Sequence, residues 1–503
     1  MKAHPEDFKR TALQELRNEH QRSFLSQMSA LNRVRRGQAM EFFGDLKDQS
    51  HVREKAAQIK INAINRLPDL LAEFELNATQ NGVQVLWAED AAEANQLIES
   101  LVKQYAVKIV TKGKSMLSEE IDLNNCLEDL GVSVFEGDLG EFIVQQRGTP
   151  PFHIVGPAIN LSVPEIAALL HEKVKMPYTE DPLQMADFVR DYLRQKFENA
   201  EMGISGVNFA IASSGSLLLV ENEGNIRWVT SAPRVQVSLM SIDKVCPTLE
   251  DAMQLLSLLT LNCTSQLMTS YTSIINGPRK AEELDGPEAM YVIIIDNGRS
   301  LAYADEECRD AMRCIRCGRC LWVCPIWLRV GAYPYGWCYS GPLASILSPL
   351  LLGLDQTQDL YEACTLCGAC QEICPVKIPH PELIEHYRQL KKTGSSTFPT
   401  KPVSLIEKIG FRLWAKVVLQ TKLYQKSLTL VSTIMNLFTR DGYIRHLPGP
   451  VKGWFGCRDL PHLPKASFHQ RWKKEWKSQS LQAKTKVLKN QAILREGDSY
   501  EQP

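Results

Sequence analysis

Apolar residues recur three and four positions apart across residues 12–32 and 52–76, with charged residues between them. That spacing predicts amphipathic helices over the first 75 or so residues. Such a segment is either an arm for a partner or a helical cap on the rest of the chain. From about residue 80 the pattern changes to short β-branched runs alternating with helical stretches. The runs 82–87, 107–111, 132–135, 209–212, 216–220, 235–239 and 290–296 read as strands, and 91–103 and 117–130 as helices. Alternation of this kind predicts an α/β domain with a largely parallel sheet.

The turn-rich segment Asp296-Asn-Gly-Arg-Ser300 closes that domain. Residues 391–399 read as a linker, and 403–440 as helical. The tail from Gly449 is basic and rich in Trp and Pro. The expected organisation is a helical segment over 1–75, the α/β domain over 76–300, a cysteine-rich domain over 305–390, and a helical segment with a basic tail over 400–503.

Composition narrows the class. Among 503 residues, 44% are hydrophobic and 23% charged, enough to bury a large core. Lys plus Arg total 57 against 58 for Asp plus Glu, so no basic stripe points to nucleic acid. The first residues lack the apolar core of a secretory signal. The longest apolar candidate, 346–354, is too short to span a bilayer. A cytoplasmic protein is expected, free or docked at the inner face of a membrane through a partner. In that compartment the 14 cysteines point to metal ligation rather than disulfides.

Eight of them form two matching runs. Cys314, Cys317, Cys320 and Cys324 precede Pro325, and Cys364, Cys367, Cys370 and Cys374 precede Pro375. Both fit C-x2-C-x2-C-x3-C-P, the run of two-cluster ferredoxins. Three thiolates on a tight loop each reach a different iron of one cube. Gly318 and Gly368 let the backbone wrap closely, and the proline directs the outgoing segment. The fourth cysteine then reaches the neighbouring cube. The expected assignment is crossed: Cys314, Cys317, Cys320 and Cys374 on one 4Fe-4S cluster, and Cys364, Cys367, Cys370 and Cys324 on the other. Zinc knuckles use two ligand pairs instead of repeated four-cysteine runs. Cys308 and Cys338 read as free thiols.

The gap between the runs is long. It holds Trp327, Tyr333, Tyr335, Trp337 and Tyr339, then an apolar stretch over 343–352. A helical ferredoxin domain is therefore expected, with aromatics shielding the clusters from water.

In the α/β domain, Lys112, Lys114 and Ser115 follow a strand and open a helix, where a carboxylate could bind, or where the helix is simply capped. Glu136, Asp138 and Glu141 are acid–base candidates or a solvated loop. His153 is a proton acceptor or a satisfied buried histidine. Asn222, Asn225 and Arg227 line a pocket or turn the chain. Gly203-Ile-Ser-Gly206 is too loose for a dinucleotide fingerprint.

These cysteine runs, with Lys112-Gly-Lys-Ser-Met116, residues 136–141, Asp296–Ser300 and the 447–461 segment, resemble the lactate-utilisation protein B family over nearly the whole chain. The resemblance implies the iron–sulfur subunit of a complex oxidising L-lactate to pyruvate, an oxidoreductase whose partners resemble lactate-utilisation proteins A and C. It implies an α/β domain similar to the sugar-isomerase and CoA-transferase folds. The electron acceptor is not implied. Two departures stand out: Cys364 occupies a place where the family often has a small residue, and Asn160 one where it often has His. Competing readings are oxidation of another 2-hydroxy acid such as glycolate, or a redox-sensing scaffold. Lactate oxidation releases electrons in pairs, whereas each cluster takes one, so a converting cofactor such as a flavin is needed. The chain shows no flavin motif.

Overall fold

The computed structural model describes residues 3–401, 404–447, 455, 458–464 and 466–476. Two compact units divide it, Met1–Pro402 and Val403–Pro503.

In the first unit ten strands follow one another: β1 (Gln84–Ala88), β2 (Ile109–Lys112), β3 (Ser133–Glu136), β4 (Met202–Gly206), β5 (Phe209–Ile211), β6 (Ser216–Glu221), β7 (Val235–Ser241), β8 (Val245–Cys246), β9 (Tyr271–Ile275) and β10 (Ala289–Ile295). Six build one sheet in the order β1-β10-β7-β4-β2-β3, every pair parallel. A smaller sheet runs β8-β5-β6-β9. The central strands are buried on both faces; β10 is apolar on both, whereas Gln236 and Ser238 of β7 and Ser205 of β4 bond one another on one face. In β10, Tyr291, Ile293 and Ile295 enter one core, while Met290, Val292 and Ile294 enter another. β4, β8 and β9 are strands that periodicity did not mark. β4 reads Met-Gly-Ile-Ser-Gly, and its glycines hide the β-branched signal. A side chain at Gly203 would meet the Val229 carbonyl oxygen at 1.8 Å, so only Gly lets the next helix pack there.

Helices α1 (Phe8–Glu15), α2 (Glu19–Met40), α3 (Leu46–Asn65) and α4 (Leu67–Gln80) precede the sheet. The helix expected over 52–76 is cut at Arg66, because Pro68 fits only the first turn of a new helix. Likewise the helix expected over 117–130 divides at Asp122, whose φ of 56° is left-handed. The first three lie against the cysteine region as a cap, and α4 packs on the α/β part beside β1 and β8. Ser29 donates to the Trp322 carbonyl at 2.6 Å, and Lys60 to the Asp243 carbonyl at 2.6 Å.

A helical region follows the α/β part within the same unit. Its longest helices are Gly341–Leu352 and His380–Thr393. The segment read as a linker begins inside the second of these, and Phe398 is buried. In the second unit the helices Leu405–Leu419 and Thr421–Asn436 pack on each other. The tail from Gly449 lies outside the described residues except for 455, 458–464 and 466–476. Among the described residues, no helix is long and apolar enough to cross a membrane.

Candidate metal centre

The two cysteine runs fold alike. Arg316 and Leu366, two residues after the first cysteine of each run, have φ of 61° and 53°; Gly318 and Gly368 follow at 69° and 76°. These left-handed residues curl the loop so that backbone N–H groups turn toward sulfur. The Arg316 amide lies 3.4 Å from Cys314 Sγ, and the Leu366 amide 3.4 Å from Cys364 Sγ. After each fourth cysteine the pattern recurs, with Trp327 N 3.5 Å from Cys324 Sγ and Ile378 N 3.4 Å from Cys374 Sγ. Gly318 is needed twice over. Its φ suits Gly, and a Cβ would come within 3.1 Å of His153 Cε1.

The eight thiols line two cavities. Cys314, Cys317, Cys320 and Cys374 line one, with Ile315, Leu343 and Ile378. Cys324, Cys364, Cys367 and Cys370 line the other, with Ile326, Tyr335 and Leu360. Each set draws three thiols from one run and the fourth from the other. The second lies closer to solvent, since Cys367 is exposed whereas Cys317 and Cys374 are buried.

Guanidinium groups brace the second cysteine run from outside, at both of its ends. Arg53 of α3 donates through Nη2 to the carbonyls of Glu372 at 2.5 Å and Cys374 at 2.8 Å. Arg388 donates to the Cys364 carbonyl at 2.7 Å. Four thiolates in an apolar shell, with N–H groups aimed at sulfur and fixed cations nearby, are the donor set that a 4Fe-4S cluster requires.

The insert aromatics divide their roles. Tyr335 lines the second thiol cavity, and Trp327 is buried, donating to Ser340 Oγ at 3.0 Å. Tyr339 instead reaches the α/β part, donating to Glu120 at 2.8 Å. Tyr333 accepts from Asn160 at 3.0 Å, so the position where the family often has His is a structural link here. Cys308 and Cys338 are buried outside both sets of four. Cys308 shares a tight group with Asp305 and His386, whose ligand atoms lie within 4.8 Å of one another. Asp305 already accepts from the Cys308 amide at 2.9 Å and lies 3.3 Å from His386.

The α/β candidates separate. Lys112 is buried and bonded to Glu136 at 2.7 Å and Asn124 at 2.5 Å, which removes it from any anion site. Ser115 caps a five-residue helix, Met116–Glu120. Asp138 caps the helix Leu139–Arg147, while Glu136 and Glu141 are buried rather than solvated. Burial pushes the Glu141 carboxyl up to about 8, although Lys114 opposes this. His153 Nδ1 accepts from the Val155 and Gly156 amides, and burial drives its pKa down to about 3. That histidine is neutral and is not a base at ordinary pH. Arg227 stacks on the Tyr271 ring at 5.2 Å.

Lys114, Ser115, Asn222 and Asn225 do meet, around a cavity of ≈ 320 Å³ between the ends of the parallel strands and the first cysteine loop. Periodicity and spacing missed the ion network behind it. Arg299 pairs with Glu120 at 2.7 Å and with Asp243 at 3.3 Å, and Arg316 pairs with Asp243 at 3.0 Å. Burial opposes ionisation of Asp243, but Arg316 and Arg299 outweigh it and hold the carboxyl well below its usual range. Charged residues flanked by apolar runs were the available signal for this network.

Family comparisons agree with this layout. Residues 71–295 match the LUD domain, 310–378 a 4Fe-4S dicluster domain, and 400–477 the C-terminal region of lactate utilisation protein B. The chain is 39% identical over 457 residues to lactate utilization protein B of Oceanobacillus iheyensis, covering 90% of this chain and 93% of that one. It is 38% identical over 425 residues to the Bacillus cytotoxicus protein of that name, covering 84% and 88%. With the Bacillus velezensis protein, again called lactate utilization protein B, it shares 37% over 469 residues, covering 93% and 96%.

Proposed function

The chain belongs to the lactate utilisation protein B family, and from that premise we propose that it carries electrons through two 4Fe-4S clusters while L-lactate is oxidised to pyruvate. The observation that carries this reading is the pair of four-thiol cavities, each lined by cysteines of both runs. Cys314, Cys317, Cys320 and Cys374 would hold one cluster, and Cys364, Cys367, Cys370 and Cys324 the other. Each bound cluster would supply transfer of one electron at a time. The residues of this chain set the conditions. Amides aimed at sulfur favour the reduced, more negative state. Apolar walls keep water out of the first cavity, and the exposed Cys367 makes the second the natural port for an external donor or acceptor.

The reaction takes two electrons and two protons from lactate, so a cofactor that handles electron pairs belongs to the assembly. We place it on a partner resembling lactate-utilisation protein A or C. The six-stranded parallel sheet supports grouping the α/β part with sugar-isomerase and CoA-transferase folds. We place the protein in the cytoplasm or at the inner face of the membrane.

The decisive test is electron paramagnetic resonance on the assembled complex, anaerobic, before and after L-lactate. Signals of reduced clusters should appear with lactate and be lost in Cys317→Ser. Clusters that stay oxidised in an intact, lactate-consuming complex would sink the electron-carrying role.

A further inference from the structure

The helix Thr421–Asn436 turns its polar side inward. Ser432 Oγ donates to the Pro464 carbonyl at 2.9 Å, and Asn436 both donates to the Leu463 carbonyl at 2.8 Å and accepts from the Leu463 amide at 3.0 Å. At helical spacing the opposite side carries Leu423, Leu430 and Ile434, and these are 42%, 62% and 49% exposed. A helix of a globular protein ordinarily does the reverse, burying its apolar stripe and leaving the polar one in water. The helix before it, Leu405–Leu419, has no buried residue among those described, and its Ile406, Leu413, Trp414 and Leu419 are each more than half exposed. Apolar surface on this scale marks a place where something binds.

Charge indicates what binds. The two helices carry Lys408, Arg412, Lys416, Lys422 and Lys426 against one carboxylate, Glu407. Among the described residues, none of the five cations pairs with a carboxylate. Lys408, Arg412 and Lys416 fall four residues apart on one stripe, and Lys422 and Lys426 flank the exposed apolar stripe of their helix. The same unit repeats this composition at Phe468, Trp472 and Trp476, all exposed, among Arg471, Lys473 and Lys474. Basic residues beside exposed apolar and aromatic ones are the composition of helices that lie on anionic membranes. A protein partner fits less well, because four of the five cations are lysine, which protein interfaces deplete. At 15 and 16 residues the helices are too short to span a bilayer, so the contact is with its surface.

We propose that the helices Leu405–Leu419 and Thr421–Asn436 bind an anionic lipid surface directly, with Leu423, Leu430 and Ile434 entering the acyl boundary and Lys422 and Lys426 at the headgroups. The long lysine stems lie along the apolar side while their ammonium groups reach the lipid phosphates. The inference goes beyond the electron-carrying role and does not depend on it, because it gives this chain a lipid contact of its own rather than one through a partner.

The test is co-sedimentation of the full, cluster-loaded chain, anaerobic and without partners, with vesicles containing phosphatidylglycerol and with vesicles of phosphatidylcholine alone. Affinity should be at least tenfold higher for the anionic vesicles and should fall as salt rises. The double variant Leu430→Ser/Ile434→Ser should bind at least tenfold more weakly, with iron content, visible absorbance and helix content unchanged. Lys422→Gln/Lys426→Gln should weaken binding to the anionic vesicles, and Lys422→Arg/Lys426→Arg should keep it. No binding to either vesicle, or full binding in Leu430→Ser/Ile434→Ser, overturns the lipid surface. Equal binding to both vesicles overturns the anionic assignment. A parent chain that binds no vesicle, with a serine variant that loses affinity for partner subunits, gives the face to a protein instead. If vesicles are not bound while lactate still reduces the clusters in the complex, the lipid contact falls and the electron-carrying reading stands.

Discussion

Arg316 Nη2 lies 3.0 Å from Asp243 Oδ2, joining the first cysteine loop to the segment that follows β7. The same carboxylate faces Arg299 at 3.3 Å and accepts from Ser241. All three charged groups are buried, and Lys60 of the N-terminal cap bonds the Asp243 carbonyl. One residue thus links cap, sheet and cysteine loop.

Removing that carboxylate strands the Arg316 guanidinium in the interior and leaves Arg299 to Glu120 alone. Breaking a buried pair from one side costs about 3–5 kcal/mol. Asp243→Ala should therefore lower the denaturant midpoint strongly and loosen the first cysteine loop, read as faster bleaching of visible absorbance by a chelator. Asp243→Asn keeps the shape and loses the charge, so it should fall between the two. A midpoint equal to the parent's in Asp243→Ala would mean that water or relaxation neutralises the arginines.

Arg53 gives a second handle on the cluster region from outside it. Its guanidinium spans the carbonyls of Glu372 and Cys374, a fork that an ammonium cannot reproduce. Arg53→Lys should lose most of the bracing, and Arg53→Ala all of it, at about 1.5–3 kcal/mol for hydrogen bonds to a charged donor. Iron should be released several-fold faster under chelator in both variants, with Lys no better than twofold slower than Ala. Equal release rates in the parent and Arg53→Ala would show that the loop holds its shape unaided.

Most of the architecture was legible because its causes are local. Both cysteine runs announce themselves by spacing, and β-branched runs marked seven of the ten strands in the first unit. The misses have physical reasons. β4 is masked by glycines needed for close helix packing, and the helix over 117–130 is cut by a left-handed Asp122 that no periodicity registers. The site in the α/β part was only half visible. Lys114 and Ser115 sit together after a strand, but Lys112 turns away to Glu136, and Lys244 joins them from 130 residues beyond Lys114. Pairings such as Arg316 with Asp243 depend on tertiary packing, and sequence distance conceals them.

The cysteines outside the two runs separate ligation from mere burial. Cys338 is as buried as Cys317 but lines an acidic cavity with Glu119 and Glu136, away from both thiol sets. Cys338→Ser and Cys308→Ser should keep full iron and sulfide content, with stability costs of about 1–3 kcal/mol for placing a hydroxyl in a thiol's site. Cys317→Ser and Cys374→Ser should each reduce the content by up to half, and by the same half, since both line the first cavity. Loss in Cys374→Ser matching that of Cys370→Ser, with Cys317→Ser different, would indicate uncrossed ligation.

Glu141 sets a pH dependence whose sign is the reverse of an ordinary salt-bridged carboxylate. Burial raises its pKa to about 8 from 4.5, and one of its oxygens is buried without a hydrogen-bond partner. Between those two values the folded chain keeps a proton that the unfolded chain has lost. Stability from this group is therefore full below about 4.5 and declines as pH rises toward about 8, by up to ~1.4 kcal/mol per pH unit. Glu141→Gln is neutral throughout and removes that slope. Denaturation of parent and variant at pH 5, 6.5 and 8 should give curves that diverge upward with pH, the glutamine form gaining a few kcal/mol relative to the parent at the top of the range. Parallel curves would mean that Lys114, 3.8 Å away, already keeps the carboxylate charged at neutral pH.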